Sequence, residues 1–251
     1  VAHAAGVLAG FWDSLGEPGK AEPWRAVAAE HAALTERLWT GERYADRDAR
    51  QGGEGTPTGV DDPMLFTPWA LGVAEAAHAA AGRERLAKLD GRGEVWPMFV
   101  WVTTEAAWAL GEKERAAELA AAVIERAYAR WDAREPVPGR AQPGVASEYW
   151  PHDRPSGGEG YGWGAFTTHL LFSTLLGYRP EEDALTLTPN LPAAWRQAGR
   201  TYGARLTHHG RPVAIRLEPL DGQRLRLKVN GRILDAAWGE AVRLNDRDLN
   251  P

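Results

Sequence analysis

The sequence predicts a mainly helical protein, an α/α toroid left incomplete, followed by a small antiparallel β domain. Three observations predict it. Apolar residues recur at helical spacing through the first two-thirds of the 251 residues. The loops between those helices are of two kinds, tight ones such as Gly111-Glu112 and long aromatic or acidic ones over 45–62 and 132–165. Paired helices with function gathered on one set of loops describe a toroid. After Tyr178-Arg179-Pro180 the period changes from helical to alternating. The helical portion is therefore placed at 1–178 and the β domain at 179–251.

Residues 2–15 are apolar at helical spacing and stop near Gly16-Glu17-Pro18-Gly19. Pro23 suits the first turn of a second helix over about 22–39, with Trp24, Val27, Ala28, Leu34 and Leu38 on one stripe. The segment from Thr40 to Asp46 ends that helix, and 47–60 is a polar, glycine-rich loop. Asp61-Asp62 before Pro63 is an N-cap pattern, opening a third helix expected to run through Trp69 to about residue 80 and to close at Gly82. Further helices are expected over about 96–110, 112–131 and 166–176, the last stopped by Gly177. In the β domain 184–187, 200–207, 213–218, 224–229 and 233–237 alternate, with hairpin turns at Asp221-Gly222 and Asn230-Gly231. Arg205, Arg216, Arg224, Arg226 and Lys228 on these strands read as a solvated face.

Composition narrows the function. A net charge of −5 gives no footprint for nucleic acid or an anionic membrane. There is no apolar run of bilayer length and no signal-peptide pattern, and a cytoplasmic location is expected. Cysteine is absent, which removes disulfides, thiol nucleophiles and thiolate metal sites together. The histidines His208-His209 are adjacent and fall in a strand or turn, not at the spacing of a metal-ligand pair, so no metal or cofactor is expected. Neither a phosphate loop nor Gly-x-Ser-x-Gly occurs, and the glycines of 157–164 do not follow a strand as a dinucleotide site would require. What stands out is 12 Trp against 5 Phe, an excess suited to stacking on sugar rings. The sequence opens on Val1 within what already reads as a helix, so a fragment is expected, with part of the active site upstream.

The chemistry concentrates between Ser147 and Gly164. Glu148, Tyr149, Trp150, His152, Glu159, Tyr161 and Trp163 lie among closely spaced glycines, which let the backbone approach a ligand. Aromatic walls supply flat apolar faces, and a carboxylate among them has the desolvated setting of a general acid or base. A carbohydrate site is the expectation, with a small oligosaccharide or glycoside as substrate.

Glu148-Tyr149-Trp150, a short spacer and then Gly158-Glu159-Gly160-Tyr161-Gly162-Trp163 resembles the C-terminal signature of the (α/α)6-barrel glycosidases related to trehalase. That group includes glycoside hydrolase family 63 and the mannosylglycerate and glucosylglycerate hydrolases. Gly93-Glu94-Val95-Trp96 is similar to the family's Gly-Pro-x-Trp element, with Glu94 in place of the usual Pro, and Leu38-Trp39 with Tyr44-Ala45-Asp46 is similar to its Leu-Trp…Tyr-x-Asp helix end. Together these cover most of residues 1–178. The resemblance implies an inverting hydrolase of α-linked glucosides or mannosides. Glu148 is then the base that activates water, Trp96, Trp150 and Trp163 wall the −1 pocket, and Glu159 binds sugar hydroxyls or orients Glu148. Tyr149, His152 and Tyr161 are further contacts. Inversion needs a carboxylic acid about 6.5–9.5 Å from the base. The family's acid lies in a Gly-Trp-Asp-like element, whereas Trp12-Asp13 sits inside an amphipathic helix with one helix between it and Leu38-Trp39, so the acid is expected upstream of Val1. The rival readings are a non-catalytic carbohydrate-binding toroid and a sugar lyase or epimerase on the same fold.

Overall fold

A computed structural model describes residues 1–48, 50, 55–89, 97–132 and 164–249. Helices fill the first part and antiparallel strands the last, as the change of period predicts. The chain divides into two compact units, Val1–Gly93 with Val102–Glu112, and Glu94–Trp101 with Lys113–Pro251. Helix α5 (Pro97–Ala109) carries the division within its length. Among the described residues, no helix is long and apolar enough to cross a membrane.

In the first unit α1 (Ala2–Ser14) and α2 (Pro18–Glu36) pack side by side. Small side chains make close approach possible: Ala5 and Ala9 of α1 and Ala21 of α2 are buried. Helix α2 begins four residues earlier than its expected start at 22, because Pro18 rather than Pro23 takes the first helical position. Pro23 consequently lies inside the helix. A polar hairpin, β1 (Arg47–Asp48) against β2 (Thr56–Pro57), interrupts the expected loop.

The single third helix expected over about 61–80 does not form. A 3-10 turn at Pro63–Phe66 leads into one turn of α3 (Thr67–Ala70), and the chain then breaks at Gly72, whose φ is +67°. The amides of Val73 and Ala74 turn back onto the Pro68 carbonyl at 2.9 and 3.1 Å, which consumes the acceptor a continuing helix would use. A second 3-10 turn, Ala76–His78, then starts α4 (Ala79–Lys88). Gly82 lies within α4 rather than closing a helix. It is packed so closely that a Cβ there would sit 2.9 Å from the Trp69 ring.

In the second unit α6 (Lys113–Asp132) buries Ala117, Ala120, Val123, Ile124 and Ala127, one stripe at helical spacing. Helix α7 (Gly164–His169) runs on as a wider π-type turn, Leu170–Leu175. Gly177 ends it as expected: its φ is +62°, and a Cβ there would lie 2.3 Å from the Thr188 carbonyl oxygen, so only glycine fits.

Two antiparallel sheets follow. One has the order β3-β4-β9 (Arg179–Pro180, Ala184–Leu187, Val242–Asn245), the other β5-β6-β7-β8 (Tyr202–His208, Arg211–Pro219, Arg224–Val229, Arg232–Ala237). Alternation sorts the faces: Val213, Ile215 and Leu217 of β6 and Leu225, Leu227 and Val229 of β7 face the core that α6 also enters. On the opposite face Lys228 meets Glu218 at 2.7 Å and Arg226 meets Asp235 at 3.6 Å, the solvated charge layer expected there. Asn230-Gly231 makes the predicted tight turn with positive φ at both residues, +46° and +89°. The β6–β7 connection is longer, and Asp221 holds it by accepting from the amides of Gln223 and Arg224, each at 2.8 Å.

Candidate functional site

The residues expected to carry catalysis and sugar binding (Glu148 with Trp96, Tyr149, Trp150, Glu159, Tyr161 and Trp163) lie outside the described residues, as do His152 and Gly93-Glu94-Val95. Within the described residues falls the third element of the resemblance, Leu38-Trp39 with Tyr44-Ala45-Asp46, and it borders a polar cluster of the first unit.

That cluster starts where α2 ends. The chain folds back through Gly41, with Trp39 and Tyr44 bridged as in a short hairpin and the Ala45 amide donating to the Leu38 carbonyl at 3.0 Å. The reversal brings the Tyr44 hydroxyl to Glu36, the last residue of α2, where it donates to Oε1 at 2.5 Å. The backbone amide of Glu75 donates to the same oxygen at 3.0 Å, and His78 Nε2 lies 2.8 Å from Oε2. A carboxylate can only accept, so His78 carries its proton on Nε2 here. One half-buried carboxylate thus joins the end of α2, the 39–44 turn and the residues before α4.

Aromatic rings enclose it. Trp39 stacks on His78 with ring centroids 3.8 Å apart, and Tyr44 meets Trp69 edge-on at 5.0 Å. Burial, reinforced by the bond to Glu36, pushes the Tyr44 phenol well above its ordinary range. The Trp69 indole N–H is buried with no hydrogen-bond partner among the described residues. Glu36 has three of its roughly four acceptor positions filled, so it is an anchor rather than a free acid or base. Beside the cluster is a cavity of about 360 Å³, within the usual range for small-ligand pockets. Tyr44, Asp46, His3, Met64 and Thr67 are among its lining residues. Asp46 is exposed, and its carboxylate has no hydrogen-bond partner among the described residues. It is a group at this cavity available to a ligand hydroxyl. Sequence reasoning found Trp39, Tyr44 and Asp46 but missed Glu36, Glu75, His78 and Trp69.

The other acids weighed from the sequence have structural roles. Asp13 sits in α1 with Oδ1 and Oδ2 held by Nη2 of Arg25 at 2.6 and 2.7 Å, a clamp between α1 and α2. Asp62 caps the turn that follows by accepting from the Met64 amide at 2.8 Å, as its position predicts. Asp61 pairs with Arg85 and, at 3.1 Å, with Arg43. In the second unit a cavity of about 380 Å³ is lined by side chains such as Leu171, Phe172, Trp195 and Tyr202. Among the described residues no carboxylate or histidine lines it, and its Tyr202 hydroxyl already donates to the Trp195 carbonyl at 2.6 Å. The chain matches no protein-family model and no curated relative.

Proposed function

We propose that this chain belongs to an inverting glycoside hydrolase of the (α/α)6-barrel type, acting on α-linked glucosides or mannosides. Glu148 is the general base that activates water, Trp96, Trp150 and Trp163 wall the −1 pocket, and Tyr149, Glu159 and Tyr161 contact the sugar. The general acid is assigned to no residue of this chain. The observation that carries the reading is the succession Glu148-Tyr149-Trp150 and Gly158-Glu159-Gly160-Tyr161-Gly162-Trp163, which puts two carboxylates and four aromatics on one glycine-rich segment. Two further features support it. The Trp39…Tyr44-Ala45-Asp46 element packs the rings of Trp39 and Tyr44 together, and Tyr44 and Asp46 line a cavity. Helix α1 exposes Val7, Leu8 and Phe11, and Leu15 follows at its C-cap, the apolar face that a neighbouring helix pair covers in an α/α ring.

The test uses the full-length gene product that contains this chain, assayed on α-glucosides and α-mannosides with the anomer of the released sugar read by NMR. Hydrolysis with inversion is expected, and Glu148→Gln should lower the rate by about 10²–10⁴-fold, the usual worth of a positioned base. An unchanged rate in Glu148→Gln removes the assignment of the base, and release of the retained anomer argues against the inverting class.

A further inference from the structure

We propose that the second unit holds a divalent transition-metal ion of the zinc type between His208, His209 and Asp246, where it pins the β5–β6 turn to the segment after β9. The adjacency of the two histidines, which made them unsuited to a shared ligand in the sequence, is overcome by the turn they occupy. Strand β5 ends at His208, and His209-Gly210 forms a two-residue turn with φ of +48° and +77°. Consecutive residues of a strand point to opposite faces, but the left-handed backbone at His209 brings its ring back over that of His208, with centroids 4.0 Å apart.

Both rings then face one carboxylate. His208 Nε2 lies 3.5 Å from Asp246 Oδ1, and His209 Nδ1 lies 3.5 Å from Asp246 Oδ2. These separations are too long for good hydrogen bonds. They are close to the edge of a tetrahedron with metal–ligand bonds of about 2.0–2.1 Å, which is about 3.3 Å. One ligand atom from each residue lies within 4.8 Å of the others. Nε2 of His208 and Oδ1 of Asp246 are moreover buried and have no hydrogen-bond partner among the described residues, and His208 is only 1% exposed. A buried imidazole nitrogen and a buried carboxylate oxygen 3.5 Å apart without a bond call for a third party.

The surroundings suit a ligand set. The Tyr178 hydroxyl is 3.0 Å from His208 Nδ1. When Nδ1–H donates to that oxygen, Nε2 keeps its lone pair, the outer bond by which metal-binding histidines are oriented. The Asp246 amide donates to the Asp183 carbonyl at 3.0 Å and its carbonyl accepts from Arg211 Nη1 at 3.0 Å, so the backbone that carries the carboxylate is fixed at both ends. The Arg211 guanidinium stays 3.9 Å from Oδ2 and opposes a cation. Two imidazoles and one carboxylate, with water completing the set, fit zinc or a neighbouring divalent ion rather than calcium or magnesium. The cluster of Glu36, Glu75 and His78 also has three candidate ligands. There, however, His78 Nε2 and both Glu36 oxygens are already engaged.

The experiment is calorimetric titration of zinc chloride into the chelator-treated full chain, with thermal melting and the visible spectrum of the cobalt-substituted protein. One zinc per chain, a higher melting temperature and a tetrahedral cobalt spectrum are expected. His209→Asn, which tolerates the left-handed turn, and Asp246→Asn, which keeps the shape, should each weaken zinc at least tenfold while the metal-free proteins stay folded. Tyr178→Phe should weaken it by about 10–100-fold, and Arg211→Gln should tighten it. Absence of zinc binding at 100 µM, or affinity unchanged in His209→Asn and Asp246→Asn, overturns the proposal, and loss of zinc in Glu36→Gln alone moves the site to the other unit.

Discussion

The three bonds converging on Glu36 limit what each contributor can do when it is changed. Tyr44 is only 2% exposed, so its hydroxyl cannot exchange Glu36 for water without the surrounding rings moving. Tyr44→Phe keeps the ring against Trp39 and Trp69 and removes only the 2.5 Å bond, leaving Glu36 Oε1 with the Glu75 amide alone. The expected cost is about 1–3 kcal/mol, that of a hydrogen bond to a charged, half-buried group, measured by urea unfolding at pH 7. The same residue carries a pH signature. Its folded-state pKa lies above the unfolded value of about 10. The stability contributed by the neutral phenol is therefore fully present below pH of about 10 and lost as pH rises through the folded value. Wild-type stability should fall above pH 10, with tyrosinate absorbance from this residue appearing only on unfolding. Tyr44→Phe should be weaker at pH 7 and flatter above pH 10, with Tyr178, also shifted upward by burial, supplying the slope that remains. Equal alkaline slopes in the two proteins would remove Tyr44 as the source.

Turns and breaks decide the elements, and the legible ones are those whose cause is local. Asn230 takes a φ of +46°, accepts from the Ala214 amide at 2.8 Å and donates to the carbonyls of Pro212 and Leu249 at 3.2 and 2.6 Å. Asn230→Gly keeps the left-handed backbone and loses the three bonds, whereas Asn230→Ala also places a Cβ in a conformation that costs about 1–2 kcal/mol. Both should destabilise, and Ala by about 1–2 kcal/mol more than Gly in denaturant melts; equal losses would mean the side-chain bonds carry the whole effect. That hairpin, the Gly177 stop and the Asp62 cap were readable because each is written in two or three neighbouring residues. Gly82 was misread as a stop because its role is set by the Trp69 ring packed on α4, which no local pattern displays. Strand β9 was missed because four residues gain their pairing from β4, far back in the chain. The same limit applies to the polar clusters. Trp39 and Tyr44 were visible as a motif, but His78 reaches Glu36 across 42 residues, and Asp246 meets His208 only through the packing of the second unit.

At the scale of the whole molecule, the ion pairs set the response to acid. Nearly all its cations are Arg, which stays charged at any pH that leaves the chain intact, so acid titration acts through the carboxylates. In the first unit the Arg85 bond holds Asp61 below the usual carboxylate range. In the second unit Glu181 is lowered by Thr186 and then Arg243, Glu218 by Lys228, and Asp221 by the amides of Gln223 and Arg224. Each folded-state pKa lies below its unfolded value, so each contribution is present above pH of about 4 and is lost as pH falls through the folded value. These groups are largely solvated and individually weak, but they are spread over both units and shift in the same direction. Protonation also removes the charges that balance the arginines, turning a net charge of −5 at pH 7 into a large positive one whose self-repulsion opposes compactness. Thermal melts should be level between pH of about 5 and 8 and fall steeply below pH of about 4. Added salt at pH 3 should restore the part due to repulsion but not the part due to lost partners. A melting temperature unchanged down to pH 3 would show that the pairs are also formed in the unfolded chain or contribute nothing.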